Sequence, residues 1–138
     1  MRESRYKINK FAGAPFGSPY CASFVSWVLY EAGAVNPPKS AWSGTMVGKN
    51  NILFNSIKAA DVFGLNMYVK SENRRRIAHV GFIRNPNYNS SSLSTIEANT
   101  SPSAAIGSEQ DRNGDGTFSK LRNKKLMSDP KNKFSRYW

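Results

Sequence analysis

The spacing of apolar residues predicts one helix in the first third of the chain. Its apolar stripe has helical periodicity and predicts a helix over residues 19–32. The stripe consists of Cys21, Phe24, Val25, Val28, Leu29 and Ala32. Ser18 and Pro19 are typical of a helix start, because the serine oxygen accepts an orphan N–H and proline has none to leave unpaired. Gly33 is typical of a helix end, since it readily takes the left-handed conformation found after a last turn.

After residue 60 the pattern changes to the period of two that is typical of strands. It predicts a hairpin of strands 61–69 and 77–83, with the charged run 71–76 in its turn. We place Arg74, Arg75 and Arg76 at the tip, where a charge run is usually solvated and anion binding is the alternative. Further strands are predicted at 93–99, near 117–121 and near 134–137.

The segments between these elements have weaker patterns. Asn36-Pro37-Pro38 breaks the chain, and residues 40–46 form a short helix or a loop. Residues 49–60 are ambiguous between helix and loop, and residues 1–16 are an irregular lead-in. Trp42 lies among polar residues, where it either lines a groove or, as is slightly more common, plugs the edge of a core.

Length and composition describe a single globular domain over residues 1–138. With 39% hydrophobic residues, the chain can bury a core of ordinary size. Its one cysteine allows neither an internal disulfide nor a multi-cysteine metal site, so the thiol is free or reactive. Charged residues interrupt every apolar run near the N-terminus, and no run approaches the length of a membrane span. We therefore expect neither a secretory signal nor a transmembrane helix.

The chain is strongly basic. Its 20 Lys and Arg against 9 Asp and Glu give a net charge of +11. This charge favours an anionic partner such as nucleic acid, an acidic membrane or an anionic cell-wall polymer, without choosing among them. Part of the excess lies in a basic C-terminal segment, residues 123–138. A solvated basic surface with no specific ligand is the alternative, and no nucleic-acid recognition motif is present.

Cys21 is the first residue with distinctive chemistry. It lies in the first turn of the predicted helix, where the partial positive charge of the helix end favours a thiolate over a thiol. A thiolate is what a cysteine nucleophile needs. The alternative is an inert core cysteine, because free cysteine is among the most buried residue types and Cys21 belongs to the apolar stripe.

The single histidine and two polar residues of a later strand complete a candidate site. The period of two places His79 on one strand face with Ile77 and Gly81, and it places Glu97 and Asn99 together on another strand. If these strands are antiparallel neighbours, a carboxylate or amide can orient the imidazole, and the imidazole can reach a cysteine on a helix packed against them. This is the arrangement of a thiol hydrolase. A structural histidine and an exposed glutamate are the alternatives.

Residues 111–116 copy the first half of a calcium-loop pattern. The twelfth position of such a loop is a bidentate glutamate, and here it is Arg122. We therefore interpret residues 113–116 as a tight hairpin turn before the strand at 117. No metal ion and no other cofactor is expected.

Several short motifs occur together along the chain. They are Gly17-x-Pro19-Tyr20-Cys21-Ala22-x-Phe24-Val25-Ser26-Trp27, Asp61-Val62, His79-Val80-Gly81, Ile96-Glu97-Ala98-Asn99-Thr100 and Arg112-Asn113-Gly114-Asp115-Gly116. This set resembles the CHAP domain, the cysteine- and histidine-dependent amidohydrolase or peptidase module of the NlpC/P60 superfamily. The resemblance implies a papain-like α+β fold, in which a helix carrying the cysteine packs on an antiparallel β-sheet.

The resemblance also implies roles for individual residues. It implies that Cys21 is the nucleophile, His79 the base, Glu97 the residue that orients the base, and Asn99 a further polar partner. We predict substrate contacts at Tyr20, Trp42 and Gly81. The implied reaction is cleavage of a peptidoglycan amide bond, as an N-acetylmuramoyl-L-alanine amidase or as a stem or cross-bridge endopeptidase.

The expected partner is bacterial cell-wall peptidoglycan, with the basic surface adsorbing to anionic wall polymers. A toxin of this type would also have an immunity or inhibitor protein. We expect a monomer that binds no nucleic acid and acts in the periplasm or at the cell wall. With no signal peptide visible, it would arrive by phage release or a dedicated secretion route. The alternative is a catalytically inactive basic wall- or nucleic-acid-binding protein on the same fold.

Overall fold

In the part of the chain described here, helices pack against an antiparallel sheet. The computed structural model describes residues 11–12, 20–100 and 116–138. The fold is α+β, with five antiparallel strands in the order β4-β3-β2-β1-β5. Within this part of the chain, the helices whose two ends are both described are α1 (Cys21–Glu31), α2 (Ser43–Met46) and α3 (Lys124–Met127). The strands are β1 (Val62–Val69), β2 (Arg74–Asn85), β3 (Ser92–Thr100), β4 (Gly116–Asn123) and β5 (Lys133–Ser135).

Helix α1 ends as its sequence predicts and begins slightly later. Gly33 has a φ of +73°, its N–H donates to the Tyr30 carbonyl, and the Ala34 N–H donates to the Leu29 carbonyl. These two hydrogen bonds form a Schellman motif. At the other end, Tyr20 is the N-cap with φ −121° and ψ 15°, which is not helical. The predicted start at residue 19 is therefore wrong by two residues, and Cys21 is the first residue of the helix.

The predicted hairpin of β1 and β2 is confirmed, but its arginines lie in a strand. The turn is made by the short 3-10 helix Lys70–Glu72 and by Asn73, whose φ is +52°. Pairing resumes at once, with Val69 opposite Arg74. The placement of Arg74–Arg76 at the tip is therefore wrong, because the left-handed residue that reverses the chain comes just before them.

A β-bulge in β2 changes which residues share a face with His79. Leu65 pairs with His79 and Asn66 pairs with Ile77, so Ala78 is the extra residue. Because successive residues of β1 face opposite sides, His79 and Ile77 also face opposite sides. The prediction that they share a face is wrong, since a strict period of two holds only for an unbroken ladder.

Apolar residues cover both sides of the sheet. The cluster under α1 consists of Cys21, Ala22, Val25, Leu29, Met46, Val47, Val62, Val80, Phe82 and Tyr137. The other cluster consists of Ile57, Phe63, Leu65, Met67, Val69, Ala78, Ile83, Leu93, Met127 and Phe134. Helix α1 contacts both β2 and β3, so its first residue is held against the middle of the sheet.

The C-terminal segment is a structural part of the domain. The strand predicted near residues 134–137 is observed as β5, and it pairs with β1. Fully buried Asp61 accepts hydrogen bonds at 2.8–2.9 Å from the Arg136 guanidinium and the Trp138 indole. The Tyr137 hydroxyl donates to the Met46 carbonyl at 2.7 Å. The basic segment 123–138 is thus anchored to the sheet along much of its length.

We predict that Gly81→Ala destabilises the fold. A Cβ at this position would lie 2.7 Å from the Phe63 ring and 2.9 Å from the Ile96 carbonyl oxygen. Overpacking of this kind costs about 1–3 kcal/mol, so urea should unfold the variant at a lower midpoint. The control is Gly44→Ala in α2, where the added Cβ meets only the half-exposed Trp42 ring, at 3.2 Å. Equal midpoints for Gly81→Ala and wild type would contradict the prediction.

Candidate active site

Cys21 begins helix α1 at the junction of three elements. Its side chain is buried, with 4% exposure. The Sγ atom lies 3.6 Å from the Ser43 Oγ at the start of α2, and the Val80 backbone N–H of β2 also stabilises the thiolate. The first backbone N–H groups of a helix lack intrahelical partners and form the positive end of its dipole. The position therefore offers a thiolate both local donors and a favourable field.

His79 lies where β2 and β3 are bridged by side chains. These strands pair at Phe82, Ile83 and Asn85 of β2, and His79 precedes this stretch. Its ring is fully buried, and its Nε2 lies 2.6 Å from the Glu97 Oε1. We assign the proton of the neutral ring to Nε2, because the carboxylate can only accept, which leaves Nδ1 as the acceptor.

The other nitrogen of His79 is available to Cys21. Among the described residues, Nδ1 makes no hydrogen bond of regular geometry. The Cys21 thiol nevertheless lies close enough to the ring that each group shifts the pKa of the other. The imidazole thus connects the thiol on one side with the carboxylate on the other.

The Glu97 carboxylate is held by three side chains. It is fully buried on β3, and its Oε1 contacts His79 Nε2 and Arg122 Nη2. Its Oε2 accepts hydrogen bonds from Arg122 Nε at 2.6 Å and from the Thr95 hydroxyl. Both oxygens are therefore used, and the carboxylate is fixed in one orientation towards the imidazole.

The charges in this cluster stabilise one another. Burial by itself raises the pKa of the Cys21 thiol, but the interaction with His79 outweighs burial and lowers the pKa from 9.0 to about 7. Burial lowers the pKa of His79, but Cys21 and Glu97 raise it from 6.5 to about 9. Burial raises the pKa of Glu97, but Arg122 and His79 hold it well below the usual range. A thiolate–imidazolium pair is therefore favoured between about pH 7 and pH 9.

The structure thus brings together Cys21, His79 and Glu97. The backbone of Asn99 belongs to β3, but its side chain lies outside the described residues. Tyr20 is buried against Ala98 and Phe24, so its packing, and not an exposed position in a groove, accounts for the aromatic ring there. Of the predicted polar site residues, three are assembled and one is undescribed.

The other two predicted substrate contacts differ from each other. Trp42 is 46% exposed, and the Arg76 guanidinium carbon lies 4.0 Å from its ring centroid. The interpretation of Trp42 as a core plug is therefore wrong, and the ring is accessible beside Ser43. Gly81 is buried under the Phe63 ring and the β3 backbone. Close approach of these groups explains the glycine.

Two polar partners of the site, Ser43 and Arg122, are not among the residues that the sequence predicts for it. Ser43 belongs to a segment with a weak pattern. The calcium-loop comparison explains Arg122 only as a replaced ligand, although Arg122 is fully buried and binds Glu97. One signal was present, because the period of two in β4 places Arg122 on the same face as Phe118 and Lys120. Leu121, between the two basic residues, is the exposed one, at 53%.

The sequence predicts neither a metal site nor a transmembrane helix. Within the described residues, no group of three or more His, Cys, Asp and Glu side chains is placed to hold a metal ion. Residues 111–115 of the calcium-like pattern, and most of the turn predicted at 113–116, lie outside them. None of the helices described here is long and apolar enough to cross a membrane.

Comparisons with protein-family models, with curated proteins and with solved structures found no match to this chain.

We predict that the Cys21 thiol ionises with a midpoint near pH 7. Because Cys21 is the only cysteine, the ultraviolet absorbance of its thiolate can be titrated directly, with Cys21→Ser as the baseline. In His79→Gln the favourable charge is lost while burial remains, so the midpoint should rise above the ordinary value of 9.0. Ser43→Ala should raise it less, since only one weak hydrogen bond is lost. A wild-type midpoint near 9 would rule out the ion pair.

Proposed function

We propose that this chain is a thiol amide hydrolase with a papain-like NlpC/P60 fold, similar to CHAP domains, and that it cleaves an amide bond of peptidoglycan. The observation that carries the proposal is the buried series from Cys21 through His79 to Glu97. It provides a nucleophile, a base and an orienting group, each next to the following one. A histidine pKa of about 9 and a cysteine pKa of about 7 make both reactive forms available together.

The acylation step uses the ion pair. The Cys21 thiolate attacks the carbonyl carbon of the scissile amide, and the electron pair of the C=O bond moves to oxygen. The backbone N–H of Cys21, which the helix leaves without an intrahelical partner, holds this oxyanion. The His79 imidazolium then gives its Nδ1 proton to the amide nitrogen as the C–N bond breaks. The amine leaves, and a thioester remains on Cys21.

Deacylation uses the same groups in reverse. Neutral His79 takes a proton from water at Nδ1 while the water oxygen attacks the thioester carbonyl. The C–S bond breaks, a carboxylic acid leaves, and the thiolate–imidazolium pair is restored. Glu97 accepts the Nε2 hydrogen bond throughout, so the ring keeps its orientation and Nδ1 stays on the side of Cys21.

The choice of peptidoglycan as substrate is supported by the resemblance to CHAP domains and by the basic surface. Part of the basic excess is used inside the fold, where Arg122 is fully buried and Arg136 pairs with Asp61. The exposed part of the C-terminal segment includes Lys125, Lys131 and Lys133. These lysines are available to adsorb to anionic wall polymers.

We predict that Cys21→Ala abolishes digestion of purified peptidoglycan. Loss of the nucleophile should lower the rate by at least about 10³-fold, since the remaining groups cannot form the thioester. Digestion is followed by the release of soluble fragments, and mass spectrometry of products from defined muropeptides identifies the bond cut.

The matched control for this experiment is Ser23→Ala. Ser23 is buried in the same first turn of α1, and its hydroxyl makes no hydrogen bond within the described part of the chain, so full activity is expected. If Cys21→Ala digests peptidoglycan as well as wild type, the proposed mechanism is wrong.

Replacing Lys125, Lys131 and Lys133 with Gln should weaken adsorption to walls that carry anionic polymers. The effect should be largest at low salt, because ions screen exposed charges. Cleavage of soluble muropeptides should not change, since these lysines lie outside the site. The control variant replaces the exposed residues Lys39, Lys58 and Lys70 with Gln, which removes the same number of charges. Adsorption that does not respond to salt would contradict an electrostatic role.

A further inference from the structure

Arg122 occupies a position that stability alone does not explain. Its side chain is fully buried in β4, and the guanidinium carbon lies 5.9 Å from the centroid of the Phe63 ring. Taking a guanidinium and a carboxylate out of water is expensive, and such pairs often stabilise a fold less than apolar residues of the same size. A fully buried pair that directly contacts a candidate catalytic histidine therefore indicates a role in the site.

The Arg122 guanidinium and the Glu97 carboxylate form a bidentate salt bridge. Arg122 Nε lies 2.6 Å from the Glu97 Oε2, and its Nη2 contacts Oε1. A planar guanidinium that meets both carboxylate oxygens fixes the plane of the carboxyl group as well as its position. The orientation of Oε1 towards His79 Nε2 is therefore set from β4.

The charges of the four side chains Cys21, His79, Glu97 and Arg122 sum to zero when Cys21 is a thiolate and His79 is an imidazolium. The uncharged neighbours of His79 are Phe63 and Leu65 on β1, while Ser43 on α2 contacts Cys21. The titratable groups that act on His79 are Cys21 on α1 and Glu97 on β3, and Arg122 on β4 contacts Glu97. Lys120 is a further buried cation of β4, outside this set of four. A Cys21 thiolate and the Glu97 carboxylate balance the His79 imidazolium and the Arg122 guanidinium.

We propose that Arg122 is a positioning residue of the site, which holds the Glu97 carboxylate at two points and balances its charge, so that the His79 imidazolium pairs with the Cys21 thiolate. The inference rests on the proposed function for its catalytic meaning. Its electrostatic content concerns only the four side chains and can be tested without peptidoglycan.

Removing the charge of Arg122 and removing the charge of Glu97 should shift the titration of the Cys21–His79 pair in opposite directions. Without the Arg122 charge, the ion pair would leave a net negative charge in a buried site, so both protons of the Cys21–His79 pair are held to higher pH. Without the Glu97 charge, the site is left with a net positive charge, so both protons leave at lower pH. When both charges are removed, the balance is restored. A residue that only stabilises the fold has no reason to produce this pattern.

The experiment is the pH profile of Cys21 alkylation by iodoacetamide, whose rate follows the thiolate fraction. Arg122→Met should move the profile up by about one pH unit or more. Glu97→Gln should move it down, and the double variant should return it close to wild type. Circular dichroism and urea unfolding establish that each variant is folded.

Two controls separate this role from a general loss of charge. Arg84→Met removes an exposed arginine that bonds Ser119 of β4 at 3.0 Å, and it should leave the profile in place. Lys120→Met removes a cation from the same face of β4 and should move the profile less than Arg122→Met. Equal shifts for Lys120→Met and Arg122→Met would overturn a specific role for Arg122.

Arg122→Lys keeps the charge but cannot make the bidentate contact. This variant replaces Arg122→Met in the experiment if Arg122→Met does not fold. Its profile should stay within a few tenths of a pH unit of wild type, while kcat on peptidoglycan should fall about tenfold with little change in KM. A wild-type profile in Arg122→Met, with only a lower unfolding midpoint, would show that Arg122 is structural and overturn the proposal. If the profiles shift as expected but wild type does not cleave peptidoglycan, the proposed function fails and the positioning role stands.

Discussion

A buried carboxylate is the constraint around which the centre of the sheet is arranged. Glu97 has no access to water, so its two oxygens require donors from the protein. It finds them on three adjacent strands, in His79 of β2, Thr95 of β3 and Arg122 of β4. The same contacts join β2 to β3 next to the stretch where their backbones pair. The hydrogen bonds to this one carboxylate therefore both link three strands and orient the imidazole.

Burial and an acidic thiol are compatible at Cys21 because the apolar contacts run along the middle of helix α1 while Cys21 lies at its start. Val25 and Leu29 bury the middle of the helix against the sheet, which places the first turn beside His79. Burial alone makes a thiol less acidic, so a cysteine held only by apolar neighbours would be inert. The nearby imidazole, with hydrogen bonds from Ser43 and the Val80 backbone, reverses that effect. The interpretation as a core residue and the interpretation as a nucleophile are thus compatible.

The basic composition describes two kinds of charge. Arg122 and Arg136 bind buried carboxylates, and both serve the interior of the domain. Lysines of the C-terminal segment remain exposed, while β5 anchors that segment to β1. Net charge is a property of composition, and only the fold separates the charges that face solvent from those that hold the structure together. The surface available to an anionic partner is therefore smaller than the sequence count indicates.

Strong local signals were enough to predict several elements: helix α1 with Gly33 at its end, the β1–β2 hairpin, and the strands that carry His79 and Glu97. The amino-acid sequence also identified these two residues and Cys21 as a candidate site, because their chemistry is distinctive. The bulge at Ala78, the burial of Tyr20 and the pairing of Arg122 with Glu97 could be seen only in the folded chain. These depend on strand order and register, which bring together residues far apart in the chain and leave no local pattern in the sequence.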